Sequence, residues 1–110
     1  MIRKFGRTRD QRKALLKGLA ASLIMKGKMK TTATRAKEAR SLVERLIQKT
    51  KSGSLAGIRY AIRYLPSAVV KKLVKEVSPK YIERNGGYTR IISLGQRKSD
   101  SAMMVIMELV

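Results

Sequence analysis

The sequence contains no cysteine and no histidine. The missing cysteine excludes disulfides, and by itself says nothing about compartment. Together the two absences remove thiolate nucleophiles, imidazole bases and almost every transition-metal site, so neither a metal nor a cofactor is expected. Acids are scarce as well: seven Asp and Glu stand against 26 Lys and Arg. Asp10, Glu38, Glu44, Glu76, Glu83, Asp100 and Glu108 are scattered, and most are explained by helix caps or local ion pairs. Their spacing supports neither a catalytic carboxylate pair nor a metal-binding acid cluster, so the chain does not read as an enzyme. Long apolar runs are also missing. Leu15 to Met25 follows a basic segment as the core of a signal peptide would, but Lys17 interrupts it and Lys26-Gly27-Lys28 replaces a small-residue cleavage site. The run is too short to span a bilayer, and the expectation is a soluble, cytoplasmic protein with no membrane partner and no small-molecule substrate.

What is present in excess is positive charge. The net charge is +19 over 110 residues. A chain of this length forms one domain, 1–110, with a core that needs no covalent staples. Unbalanced positive charge opposes compaction unless a polyanion neutralises it, and nucleic acid is the polyanion expected. The charge is uneven. Residues 1–51 hold 16 basic and three acidic side chains, whereas 52–110 hold ten and four. The N-terminal half is therefore the stronger candidate for the contact.

Periodicity divides the chain into seven elements. Met1 to Arg9 has four cations and no apolar period, and reads as a flexible basic arm, ordered on nucleic acid, or as a frayed end; the charge favours the arm. Thr8-Arg9-Asp10-Gln11 fits a capping box. A helix to Lys26 follows, with Leu15, Leu16, Leu19, Ala20, Leu23 and Ile24 as its stripe, and Gly27 ends it. Lys28 to Thr32 predicts a short edge strand guarded by Lys28 and Lys30. Thr32 or Thr34 caps a helix to Lys51 whose buried face is Ala36, Ala39, Val43, Leu46, Ile47 and Thr50. Leu55, Ile58, Ile62 and Leu65 predict the apolar side of a third helix, stopped by Pro66. Ser67 caps a fourth, with Val70, Leu73, Val74 and Val77 inward, and a further turn follows Ser78-Pro79.

The last quarter organises the rest. Gly86 and Gly87 supply a turn where φ > 0 has no steric cost. Tyr88 to Leu94 alternates as a strand, a loop with Arg97 and Lys98 follows, and Met103 to Val110 is apolar except for Glu108, as a buried central strand is. The fold class expected is α+β. It is a two-layer α/β arrangement in the order α-β-α-α-α-β-β, with a three-stranded mixed sheet covered by helices.

Candidate phosphate contacts follow from these placements. The arm offers Arg3, Lys4, Arg7 and Arg9, and the first helix Arg12, Lys13 and Lys17. Lys28 and Lys30 lie on the short strand, and Arg35 and Lys37 open the second helix. Arg59 and Arg63 flank the third helix beside Tyr60 and Tyr64. These rings either stack on bases or close the core with their hydroxyls in water, and the second reading is favoured. Arg84 and Arg90 bracket the double glycine, and Arg97 and Lys98 occupy the loop. No Walker loop, dinucleotide fingerprint, base-reading helix or RNP1 strand is present, which favours phosphate-dominated binding over sequence readout.

Two motifs carry a resemblance: Lys30-Thr31-Thr32-Ala33-Thr34-Arg35-Ala36-Lys37-Glu38 and Arg84-Asn85-Gly86-Gly87-Tyr88-Thr89-Arg90-Ile91-Ile92, supported by Ala21-Ser22-Leu23-Ile24 and the ending Glu108-Leu109-Val110. Over nearly all its length the chain resembles the bacterial large-ribosomal-subunit protein family numbered seventeen. Gln11, Lys98-Ser99-Asp100 and Met103 depart from that family's usual residues. The resemblance implies a structural constituent of the large subunit that supports translation by binding 23S ribosomal RNA beside neighbouring large-subunit proteins. The competing reading is an architectural DNA-binding protein of the nucleoid. It is disfavoured because the loop Gly95 to Ala102 offers no large apolar wedge for its tip.

Overall fold

The computed structural model describes residues 9–110. The Thr8 capping box, and all of the basic arm except Arg9, lie outside the described residues; Arg9 is the first residue of α1.

Helix α1 (Arg9–Lys26) leads through Gly27 into β1 (Lys28–Thr32), and α2 (Ala33–Thr50) begins at once. Of the two candidate caps the first serves: the Thr32 hydroxyl accepts from the Arg35 amide at 3.4 Å. Helices α3 (Leu55–Ile62) and α4 (Ser67–Lys72) follow. The coil of α4 widens to a π turn over Leu73–Val77 and tightens to a 3₁₀ turn over Ser78–Tyr81. Strands β2 (Thr89–Gln96) and β3 (Met103–Leu109) close the chain.

Helix α2 is the centre of the helical layer. Its face of Ala36, Ala39, Val43, Leu46, Ile47 and Thr50 is buried as the periodicity predicts, with Leu42 added. Buried Thr50 donates to the Leu46 carbonyl at 2.7 Å and pairs with the buried Ser78 hydroxyl at 2.7 Å, which satisfies both polar groups inside the core. The fourth helical segment buries Val69, Val70, Leu73 and Val77. Its cap position is Pro66, not Ser67, which is the first helical residue and makes no cap hydrogen bond.

The third helix keeps only part of its expected stripe: Leu65 is buried and Ile58 packs against the core. Leu55 and Ile62 are 62% and 59% exposed, whereas Gly57 and Ala61 are buried. The cause is proximity to α2: a Cβ on Gly57 would stand 1.9 Å from the Lys49 carbonyl oxygen. Only a helix face of small residues can approach that closely, so Gly57 and Ala61 meet α2 and Leu55 and Ile62 turn outward, while Ile58 stays half-buried and Leu65 buried.

The sheet order is β1-β3-β2, and both pairings are antiparallel. This corrects the mixed sheet expected from the sequence. A parallel pair would require β1 beside β2, but the most apolar strand, β3, stands between them. The third strand and the central place of β3 are as expected. Met107 and Val105 are buried, with Thr31 and Thr89 beside them, against α1 and α2. The helices cover this one face, and residues of opposite parity face away from the core.

The double glycine turns the chain into β2 as predicted, with φ of 84° at Gly86 and 63° at Gly87. Tyr88 follows it and is 1% exposed. Its hydroxyl donates to Gln48 Oε1 and accepts from Lys51 Nζ at 3.0 Å, while its amide donates to Glu44 Oε1 at 3.2 Å. The turn is thereby fastened to α2. No described helix is long and apolar enough to cross a membrane.

Candidate nucleic-acid interface

Two surfaces gather several of the cations. The first is a groove of about 560 Å³ between α1, α2 and the end of α3. Lys13, Leu16 and Lys17 form one wall, Glu38, Ser41, Leu42 and Arg45 the second, and Arg63 with Tyr64 the third. It continues into a hollow of about 330 Å³ lined by Lys49, Ser54, Ala56, Gly57, Arg59, Tyr60 and Arg63. Arg63 belongs to both. The Tyr60 and Tyr64 rings lie 5.1 Å apart between them, tilted by 48°. Lys17 Nζ sits 5.8 Å from the Tyr64 ring centre and Lys49 Nζ 5.5 Å from that of Tyr60. Cations over ring faces fit cation–π attraction. Burial and then the neighbouring Tyr64 push the Tyr60 hydroxyl above its ordinary pKa, outweighing Arg45 and Arg63, so this ring is neutral at physiological pH.

Six cations therefore surround two tyrosines, and the acid among the lining residues is Glu38. The ion pairs Arg40–Glu44, Arg90–Glu108 and Arg97–Asp100 all lie outside this lining. Such a surface can neutralise closely spaced phosphates and offer a ring to an unstacked base. Both readings of the tyrosines have support: each is half-buried against the core, and each also lines the groove.

The second surface is the face of the sheet that is left uncovered among the described residues. Lys28 and Lys30 are exposed on β1. Arg90 on β2 is paired with Glu108 through Nε at 2.7 Å and through Nη2. In the following loop Arg97 grips Asp100 with two hydrogen bonds, at 2.9 and 2.7 Å. Hydrogen bonds from Arg97 and from the Ala102 amide hold the Asp100 carboxyl down to about 2.

The predicted contacts are thus only partly brought together. Lys13, Lys17, Arg59 and Arg63 share the groove. Arg9 and Arg12 lie further back on α1, and Arg35 and Lys37 belong to the start of α2. Lys28, Lys30, Arg90, Arg97 and Lys98 belong to the sheet and its loop. Arg84 lies in the turn before β2, where its carbonyl accepts from Lys51 at 2.8 Å. Arg3, Lys4 and Arg7 lie outside the described residues. Arg45 and Lys49 also line this surface, although they are not among the predicted contacts. Their spacing of four, matching that of Arg59 with Arg63 and Tyr60 with Tyr64, was the available signal.

The family model for ribosomal protein L17 matches residues 15–110. The large ribosomal subunit protein bL17 of Clostridium acetobutylicum is 52% identical over 109 residues, covering 98% of this chain and 96% of its own. The bL17 proteins of Clostridium botulinum strain Loch Maree and Clostridium tetani are each 50% identical with the same coverage. With the family model matching 15–110 and relatives at half identity over nearly the full length, this chain belongs to the ribosomal protein L17 family.

Proposed function

We propose that the protein is a structural constituent of the large ribosomal subunit that binds and stabilises 23S ribosomal RNA through phosphate contacts. As a ribosomal protein it works in the ribosome, in the cytoplasm, and supports translation by holding RNA rather than by catalysing a reaction. The observation that carries the RNA reading is the groove, where Lys13, Lys17, Arg45, Lys49, Arg59 and Arg63 converge on Tyr60 and Tyr64. Residues 1–110 act as one RNA-binding domain, and the basic residues among 1–9 add phosphate contacts. Arg12, Arg35, Lys37, Arg84 and Lys98 are weaker candidates, because they lie outside the groove; Lys28, Lys30, Arg90 and Arg97 belong to the sheet face and its loop and are not assigned to RNA. Neighbouring large-subunit proteins are the other expected partners.

The test is a filter-binding titration of the purified full chain against large-subunit ribosomal RNA and against duplex DNA at equal salt. Preferential retention of the ribosomal RNA supports the reading, and equal affinity for random duplex DNA contradicts it.

A further inference from the structure

The uncovered sheet face is built differently from the groove. The register aligns its side chains in rows across the three strands: Lys28, Glu108 and Arg90, then Lys30, Ile106 and Ile92, then Thr32, Met104 and Gly95. Leu94 is the extra residue at the β2 irregularity between Ser93 and Gly95, and it shares a hollow of about 330 Å³ with Lys30 and Met104. Ile92 and Leu94 are 42% and 47% exposed. Aliphatic side chains thus occupy the middle and the β2 side, with lysines along the β1 side.

Two features argue against RNA as the cover. The central side chains are aliphatic, without the tyrosines that the groove offers to a base, so covering them with hydrated phosphates gains little. The arginines bordering the aliphatic patch are already committed to carboxylates, Arg90 to Glu108 and Arg97 to Asp100. Among the described residues Lys28 and Lys30 make no ion pair, and the carboxylate of the first row, Glu108, is held by Arg90.

We propose that this face docks a segment of another large-subunit protein, apolar over Ile92, Leu94, Met104 and Ile106 and acidic opposite Lys28 and Lys30. The match is one of charge as well as of hydrophobicity: apolar area leaves water on the β2 side while two lysines gain the carboxylates this chain does not supply. RNA on the helical side and protein on the sheet side then give the domain two separate attachments. The proposal uses the chain's place in the large subunit but does not depend on the groove being the RNA site.

The test places the photo-crosslinking residue benzoylphenylalanine at Ile92 and, in a second preparation, at Arg45, in chains assembled into large subunits. Irradiation is followed by digestion and mass spectrometry. The proposal expects Ile92 to cross-link to a peptide of another subunit protein. Cross-links from Ile92 to ribosomal RNA, to a second copy of this chain or to nothing overturn it. The Arg45 position reports separately on the groove. A companion variant, Ile92→Glu, should lower retention of the cross-linked protein in salt-washed subunits roughly tenfold, with the melting temperature and RNA affinity of the isolated chain unchanged. Full retention of that protein, or an equal loss of RNA affinity, overturns the proposal.

Discussion

Gly57 stands so close to Lys49 that a side-chain carbon on it would lie 1.9 Å from the Lys49 carbonyl oxygen. This contact seats α3 on α2 and brings Arg59, Tyr60, Arg63 and Tyr64 to the cations of α1 and α2. Gly57→Ala should therefore displace the backbone, costing about 1–3 kcal/mol, and loosen the groove. Thermal unfolding together with RNA binding checks this: both should fall. An unchanged melting temperature would mean that the helices do not approach as described.

Gly87→Val should destabilise through the backbone alone. The residue has φ of 63°, and a Cβ there would meet nothing nearer than the Arg84 guanidinium at 4.0 Å. A β-branched residue in this conformation costs roughly 1–2 kcal/mol or more. Chemical denaturation should show a lowered midpoint with RNA affinity retained at temperatures where the variant is folded. Lost affinity without lost stability would assign the turn to binding.

Tyr88→Phe tests the fastening of that turn to α2. The substitution keeps the ring, which meets Tyr81 at 5.2 Å, and removes the hydroxyl shared by Gln48 and Lys51. The expected loss is about 1–2 kcal/mol, read by denaturant unfolding. A variant as stable as the wild type would show that water replaces the hydroxyl at no cost.

The Arg97–Asp100 pair predicts a pH response of the loop. The Asp100 carboxyl lies at about 2 in the folded chain, below its ordinary value of 3.8. A carboxyl depressed by folding contributes stability above its unfolded pKa, and loses it as pH falls through the folded one. Carboxyl-detected NMR should thus place the Asp100 midpoint near 2, and Arg97→Ala should raise it towards the ordinary range. A wild-type midpoint at the ordinary value would show that the pair is open in solution.

Much of this architecture was legible because each signal was local. The apolar run Met103 to Val110 marks a central strand, the double glycine marks a turn, and the α2 stripe has helical spacing within one segment. The parts not legible depend on partners distant in the chain. Leu55 and Ile62 look like a core face until Gly57 is placed against Lys49; a missing Cβ matters only when another backbone arrives beside it. That Arg45 and Lys49 stand beside Arg63 and Tyr60 depends on α3 folding back onto α2, which the α2 segment alone does not contain. The mixed sheet failed for the same reason, because strand order depends on which strand takes the centre. Of the candidate contacts, four proved to share one groove because α1 and α3 both lean on α2, a fact that spacing within either helix does not contain.

The most direct test of the RNA face is the salt dependence of binding to large-subunit ribosomal RNA. Affinity should fall with salt by a log–log slope of roughly 0.7–0.9 per neutralised phosphate. Replacing Lys13, Lys17, Arg45, Lys49, Arg59 and Arg63 by Gln should weaken binding and flatten that slope by about 4–5 units, if each cation meets one phosphate. Replacing the exposed Lys71, Lys75 and Lys80 of the fourth helical segment should change the slope little. A slope unmoved by the groove substitutions, or moved as far per charge by the control set, would contradict the account.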